Sequence, residues 1–193
     1  MSGHAALPQG VTPDQRHWIA LFEAYQHAWP DEAGVVALFR ELASTDDAAA
    51  SRARRAGHLT GSAWLVSADG ERVLLTHHRK LDRWLQLGGH ADGDGDLARV
   101  ALREAEEESG LLDLEVETIV FDLDRHRIPA RGDEPEHWHY DVRFVVRARG
   151  SEAYVVGAES HALAWRRIAD IAHDEAADAS LRRMARKWLA RSA

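Results

Sequence analysis

The chain contains no cysteine, which excludes disulfides, thiolate nucleophiles and zinc sites built on sulfur, so any metal must be held by oxygen or imidazole. It has no apolar run long enough to cross a bilayer, and its opening residues lack a basic segment followed by an apolar one. The expectation is a soluble, unexported, cytoplasmic protein. Basic charge is not in excess either: 32 acidic residues against 24 lysines and arginines leave a net charge of -8. Binders of duplex nucleic acid or anionic membranes usually present a basic face, so neither partner is expected, and a phosphate compound would need cations to mediate.

What is present is an ordinary globular balance, 45% hydrophobic and 29% charged over 193 residues, enough for one substantial core. Residues 12–57 read as helical. Thr12 is a good N-cap, with Pro13 at the first helical position and Gln15 completing a capping box. Trp18, Leu21, Phe22, Tyr25 and Trp29 follow at helical spacing; Pro30 ends the helix, and Val35, Leu38, Phe39 and Leu42 begin a second stripe. From residue 58 the pattern changes to strands, predicted at His58–Ser67, Glu71–His77, Trp84–Leu87, Leu114–Ile128, His137–Arg147 and Leu163–Arg166, with Asp69-Gly70 as a hairpin turn. One helix, Leu97–Ser109, interrupts them, and a last one carries Leu181, Met184, Ala185, Trp188 and Leu189. This predicts a mixed α/β fold with a helical extension (1–57) packed on a main body (58–193).

The informative segment is the glycine-rich stretch from Gly88 to Asp96 and the helix behind it. On a wheel of about 100° per residue, Leu97, Ala98, Ala101, Leu102 and Ala105 form the buried face, and Glu104, Glu107 and Glu108 share an adjacent arc. Like charges so spaced repel, and a hard divalent cation with oxygen ligands offsets them. A solvated acidic face would explain the glutamates alone; the glycine lead-in, and Arg103 placed to orient a carboxylate, favour a metal site. An EF-hand reading of Asp92, Asp94 and Asp96 fails, because Leu97 and Arg103 stand where the loop glycine and the bidentate acid belong. Asp96 serves either as helix N-cap or as a metal residue. Gly110 suits a left-handed C-cap, with Leu111 supplying an apolar contact.

These residues resemble the signature of the Nudix hydrolases. Gly89 opens it, and Arg103-Glu104-Ala105-Glu106-Glu107-Glu108-Ser109-Gly110-Leu111 closes it in register; Gly95 departs from it, standing where the first signature glutamate belongs, and Leu87 replaces a common proline. The resemblance covers roughly residues 58–170. It implies a mixed sheet sandwiched between helices and water attack on a phosphorus of a nucleoside diphosphate derivative. It also implies Mg²⁺ or Mn²⁺ held by Glu104, Glu107 and Glu108, and the diphosphate approaching Gly88, Gly89 and His90. The general base is left open between Glu107 and Glu159, which precedes the Trp165 strand.

Elsewhere, His137, His139 and Asp141 alternate onto one strand face. They form either a second metal-binding or phosphate-contacting wall, or histidines at an exposed strand end with Asp141 paired to an arginine. Asp122, Asp124 and His126 belong to the same cluster or to a solvated edge. Arg79 and Lys80 lie ahead of the signature, where Arg79 could meet phosphate oxygens. Trp84 reads as core. A nucleotide-binding domain without hydrolysis is the alternative to an enzyme, prompted by Gly95. A diphosphate isomerase is disfavoured, since that branch uses a catalytic cysteine. The N-terminal helices either cap the pocket or form a homodimer contact.

Overall fold

Thr12 starts the first helix as its sequence predicts: its side chain accepts from the Gln15 backbone N–H at 3.2 Å, while Gln15 Oε1 accepts from the Thr12 N–H at 2.9 Å. The computed structural model describes residues 11–158 and 160–191; Glu159 and residues 1–10 of the expected extension lie outside them. Helix α1 (Pro13–Ala28) is followed by a single 3-10 turn (Pro30–Glu32) and α2 (Ala33–Thr45). Residues 46–56 form turns and not the helix expected there. Their polar groups bond locally, Asp46 Oδ1 capping the Ala48 N–H at 2.9 Å and Asp46 Oδ2 accepting from Arg54 Nε at 2.7 Å, a competition that breaks helical continuation.

Seven strands form one mixed sheet: β1 (Gly57–Val66), β2 (Arg72–His78), β3 (Arg83–Leu85), β4 (Leu87–His90), β5 (Leu114–Ile128), β6 (His137–Ala148) and β7 (Ser160–Arg167). The order is β3-β2-β1-β6-β5, with β4 also on β1 and β7 on β2. Only β1 and β6 run parallel. The single strand expected at Trp84–Leu87 is two strands. Arg83–Leu85 pairs with β2, whereas Leu87–His90 pairs with Thr60–Ala63 of β1, so the double glycine lies inside a strand. Strand β1 meets β2 only at Val66 and Val73, leaving its other end for β4.

Alternation along β1 sorts the core. Leu59, Ala63 and Leu65 face α3 (Leu97–Ser109), and Trp64 and Val66 face α4 (Ile168–His173) and α5 (Ala179–Arg191). The short α4 was not legible in the sequence. Helices α1 and α2 bury Trp18, Phe22, Tyr25, Val36 and Phe39 in the same cluster as Leu97, Val100 and Ala101 of α3 and Leu123, Val142 and Phe144 of the sheet. Each such side chain contributes about 1.5–3 kcal/mol of burial. The buried face of α3 includes Val100, with Leu102 only half-buried, a rotation from the expected face.

Charge is buried where the helical layers meet round β5. Asp122, with no exposed side-chain surface, accepts from Arg143 Nη1 (3.1 Å), Arg183 Nη2 (2.7 Å) and Lys187 Nζ (2.8 Å). Lys187 Nζ also donates to Tyr25 Oη (2.5 Å) and pairs with Glu32 (2.7 Å), tying α5 to the N-terminal helices. A solvated edge at Asp122 is therefore excluded.

Candidate active site

Helix α3 begins at Asp96, whose carboxylate accepts from the Arg99 N–H at 3.0 Å, so its role is the cap. It ends at Gly110, left-handed at φ 68°, whose N–H donates to the Glu106 carbonyl at 2.8 Å; Leu111 is buried behind it. Glu104 and Glu108 are half-buried against the outer edge of β4, and Glu106 and Glu107 are exposed. Because β4 pairs with β1 alone, its outer edge has backbone groups to offer: the Gly88 N–H donates to Glu108 Oε1 at 3.3 Å. Arg103 Nη2 donates both to Glu104 Oε1 at 2.8 Å and to the His90 carbonyl at 3.0 Å, fastening the helix to the strand as it orients the carboxylate.

The two glycines are needed for that approach. A Cβ at Gly89 would stand 2.4 Å from Glu104 Oε2, and one at Gly88 would stand 2.7 Å from the Ser62 Cα. The departure at Gly95 has a comparable cause. A Cβ there would lie 2.4 Å from the Asp14 carboxyl carbon of α1, and the Gly95 carbonyl accepts from Trp18 Nε1 at 2.8 Å. The position is thus occupied as the docking point of the N-terminal helix.

The donor chemistry of the arc suits a hard divalent cation: Glu104 and Glu108 are drawn to one strand edge, and Glu107 follows on the same helix. Arg79 is exposed, and its guanidinium donates to the Ser160 carbonyl at 3.1 Å, at the start of β7. Glu159, the neighbouring candidate, lies outside the described residues.

Residues on the other face of the same strands form a second group. His58, His90, His126, His137 and His139 gather at one end of β1, β4, β5 and β6, with ring centroids 5.0 to 5.6 Å apart. Below them Asp141 is buried; it accepts from Thr60 Oγ1 (2.9 Å), Ser62 Oγ (2.7 Å), Gln86 Nε2 (3.1 Å) and Arg143 Nε (2.7 Å). Asp141 thus pairs with an arginine, as one sequence reading held, but the strand end is not exposed: His137 is also buried. Burial, then the neighbouring imidazoles, lowers His139 to about 2, and burial chiefly lowers His58 to about 4 and also depresses His90. The sequence placed His90, His137 and His139 near the site but missed His58, whose membership depends on the β1–β6 register, His58 opposite His139.

The family model of the NUDIX domain matches residues 58–188. The chain belongs to the Nudix family. The solved structures agree on the fold. An Ap4A hydrolase of C. elegans, in a binary complex, superposes with a TM-score of 0.54 at 16% identity, covering 69% of this chain and 96% of that one. The dihydroneopterin triphosphate pyrophosphohydrolase of E. coli gives 0.51 at 17% identity, covering 69% and 95%. The NUDIX domain of Shewanella oneidensis NrtR complexed with ADP ribose gives 0.50 at 21%, covering 74% and 92%. No curated protein matches the chain. Helices α1 and α2 lie outside the matched residues. No helix among the described residues is long and apolar enough to cross a membrane.

Proposed function

We propose that this Nudix protein is a divalent-metal-dependent hydrolase that cleaves a diphosphate linkage in a nucleoside diphosphate derivative by water attack at phosphorus. The observation that carries the reading is the seating of Glu104 and Glu108 on the edge of β4, made by the Gly88 N–H, the Arg103 guanidinium and the missing side chain of Gly89. Glu104, Glu107 and Glu108 would hold Mg²⁺ or Mn²⁺, which when bound neutralises phosphate charge and lowers the pKa of the attacking water. Arg103 keeps Glu104 oriented, and a guanidinium beside a ligating carboxylate fixes its rotamer. Glu107, exposed at the outer end of the arc, would take the proton from water. Arg79, held by the Ser160 carbonyl, offers its remaining N–H groups to phosphate oxygens.

The neighbours support this class of ligand, since their names include a hydrolase of Ap4A, a pyrophosphohydrolase of a pterin triphosphate and a domain complexed with ADP ribose. The test is phosphate or nucleotide release from a panel of dinucleoside polyphosphates, nucleotide sugars, ADP-ribose and nucleoside triphosphates, with Mg²⁺ or Mn²⁺, by wild type and Glu107→Gln. Metal-dependent turnover that falls by about 10²-fold or more in the variant supports the enzyme. Nucleotide binding by folded protein without turnover on any panel member would replace it with a non-catalytic binding domain.

A further inference from the structure

We infer that His58, His90 and His139 form a binding site for a borderline divalent transition ion, zinc before others, separate from the carboxylate helix. One nitrogen from each of the three rings lies within 4.8 Å of the other two. Zinc–imidazole bonds of about 2.0–2.1 Å in tetrahedral geometry bring ligand nitrogens to roughly 3.4 Å of each other. Small rotations of the rings close the difference. A donor set of imidazole alone suits zinc, cobalt, nickel or copper, and not magnesium or calcium, which take oxygen.

The hydrogen bonds around the cluster prepare nitrogen lone pairs. A carbonyl only accepts, so His58 Nδ1, 3.3 Å from the Arg54 carbonyl, carries the hydrogen and leaves Nε2 bare in the neutral ring. That Nε2 is buried and has no partner, on a residue only 2% exposed; His90 Nε2 is buried and unpartnered as well. Two buried ring nitrogens without partners are costly unless something engages them. His137 follows the same rule. Its Nδ1 lies 2.9 Å from the Pro135 carbonyl, so its Nε2 accepts from His139 Nε2 at 3.2 Å, which leaves His139 Nδ1 as the bare atom. His137 is therefore a positioning residue that sets the tautomer of His139. The carbonyl–histidine pairing at His58 and His137 is the outer support that metal-binding histidines ordinarily have.

The site lies next to the carboxylates but on the other side of β4. His90 follows Gly89, and its carbonyl holds Arg103, so an ion on His90 would stiffen the strand on which Glu104 and Glu108 rest. The ends of β1, β4 and β6 would be joined by one ion.

The experiment is titration of untagged, metal-stripped protein with Co²⁺ and Zn²⁺ in millimolar Mg²⁺, reading stoichiometry by elemental analysis and visible Co²⁺ absorption, for wild type, His90→Gln, His139→Gln and Glu104→Gln. One equivalent is expected in the wild type and in Glu104→Gln, with affinity at least about tenfold weaker in either histidine variant. Histidine side-chain ¹⁵N spectra of the wild type, which need no variant to fold, should show Zn²⁺ shifting His58 Nε2, His139 Nδ1 and one ring nitrogen of His90. Substoichiometric uptake, displacement by Mg²⁺, unmoved histidine nitrogens, or loss in Glu104→Gln with retention in the histidine variants would each overturn the inference. The last of these would place the ion on the carboxylate helix.

Discussion

Replacing Gly89 with alanine tests the seating of Glu104 with the smallest available perturbation. The added methyl carbon would lie 2.4 Å from Glu104 Oε2 and 2.7 Å from its carboxyl carbon. A tolerable carbon–oxygen contact is no closer than about 3.0–3.4 Å, so the carboxylate must retreat by roughly 0.6–1 Å. The backbone can absorb nothing, because Gly89 is paired with Gly61 in β1 and Arg103 holds the next carbonyl. A displacement of about 1 Å in a catalytic constellation costs on the order of 10²-fold in rate. The methyl strains no buried packing, since the atoms it meets are the end of a half-buried side chain.

The expectation is therefore a kcat/KM about 10²-fold below wild type on the best panel substrate, together with weaker Mn²⁺ activation and a Tm within about 3 °C of wild type. Gly88→Ala is the contrasting control. Its methyl would meet the Ser62 backbone at 2.7 Å, so β4 itself must separate from β1 and the Tm should fall clearly. Gly89→Ala protein that keeps its Tm and turns over within threefold of wild type would refute the proposed role of Glu104.

Asp122→Ala should cost about 3–5 kcal/mol in urea unfolding, because it leaves Arg143 and Lys187 buried beside an empty position; a loss under about 1 kcal/mol would show the network is dispensable. Burial alone would raise the Asp122 and Asp124 carboxyls. Hydrogen bonds from Arg183 and His126 and the Arg143 charge hold both below the ordinary carboxylate value. Their contribution is complete above the unfolded-state pKa of about 3.9 and is lost as pH falls through the lower folded values. Acid unfolding curves should thus keep a steep limb below about pH 4 that Asp122→Asn flattens. Trp18→Phe should lose about 1 kcal/mol with the bond to the Gly95 carbonyl, and Trp18→Ala about 3–5 kcal/mol with the buried ring, both read by urea unfolding. Equal effects of the two would remove the hydrogen bond from the account.

Local chemistry was legible and long-range register was not. The Thr12 capping box, the Asp96 and Gly110 ends of α3 and the strand at Leu114–Ile128 each depend on residues a few positions apart, and the structure has them where the sequence predicts. The double glycine misled because glycine usually punctuates a turn. Here it permits a strand to approach Ser62 on one side and Glu104 on the other. The acids of β5 left two readings open for a related reason. Alternating Asp122 and Asp124 match a solvated edge until Arg143, Arg183 and Lys187 arrive from a strand and a helix distant in sequence. The histidines needed the parallel pairing of β1 and β6, which brings together residues such as Thr60 and Asp141, 81 positions apart.

Gly95 shows how a departure from a family pattern acquires a physical cause. In the sequence it is a missing glutamate, and the inference it invites is a weakened metal site. In the structure the space a side chain would fill holds the Asp14 carboxyl, and its carbonyl is taken by Trp18. A glutamate at 95 would set one carboxylate against another and displace the Asp14 side chain, while Glu104 and Glu108 stay engaged at β4 without it. The glycine and the added helix therefore belong together. If this reasoning holds, Gly95→Glu should destabilise the wild type more than it destabilises Asp14→Ala, because the second change removes both the clash and the like charge. Equal losses in the two backgrounds would mean that α1 does not account for the glycine.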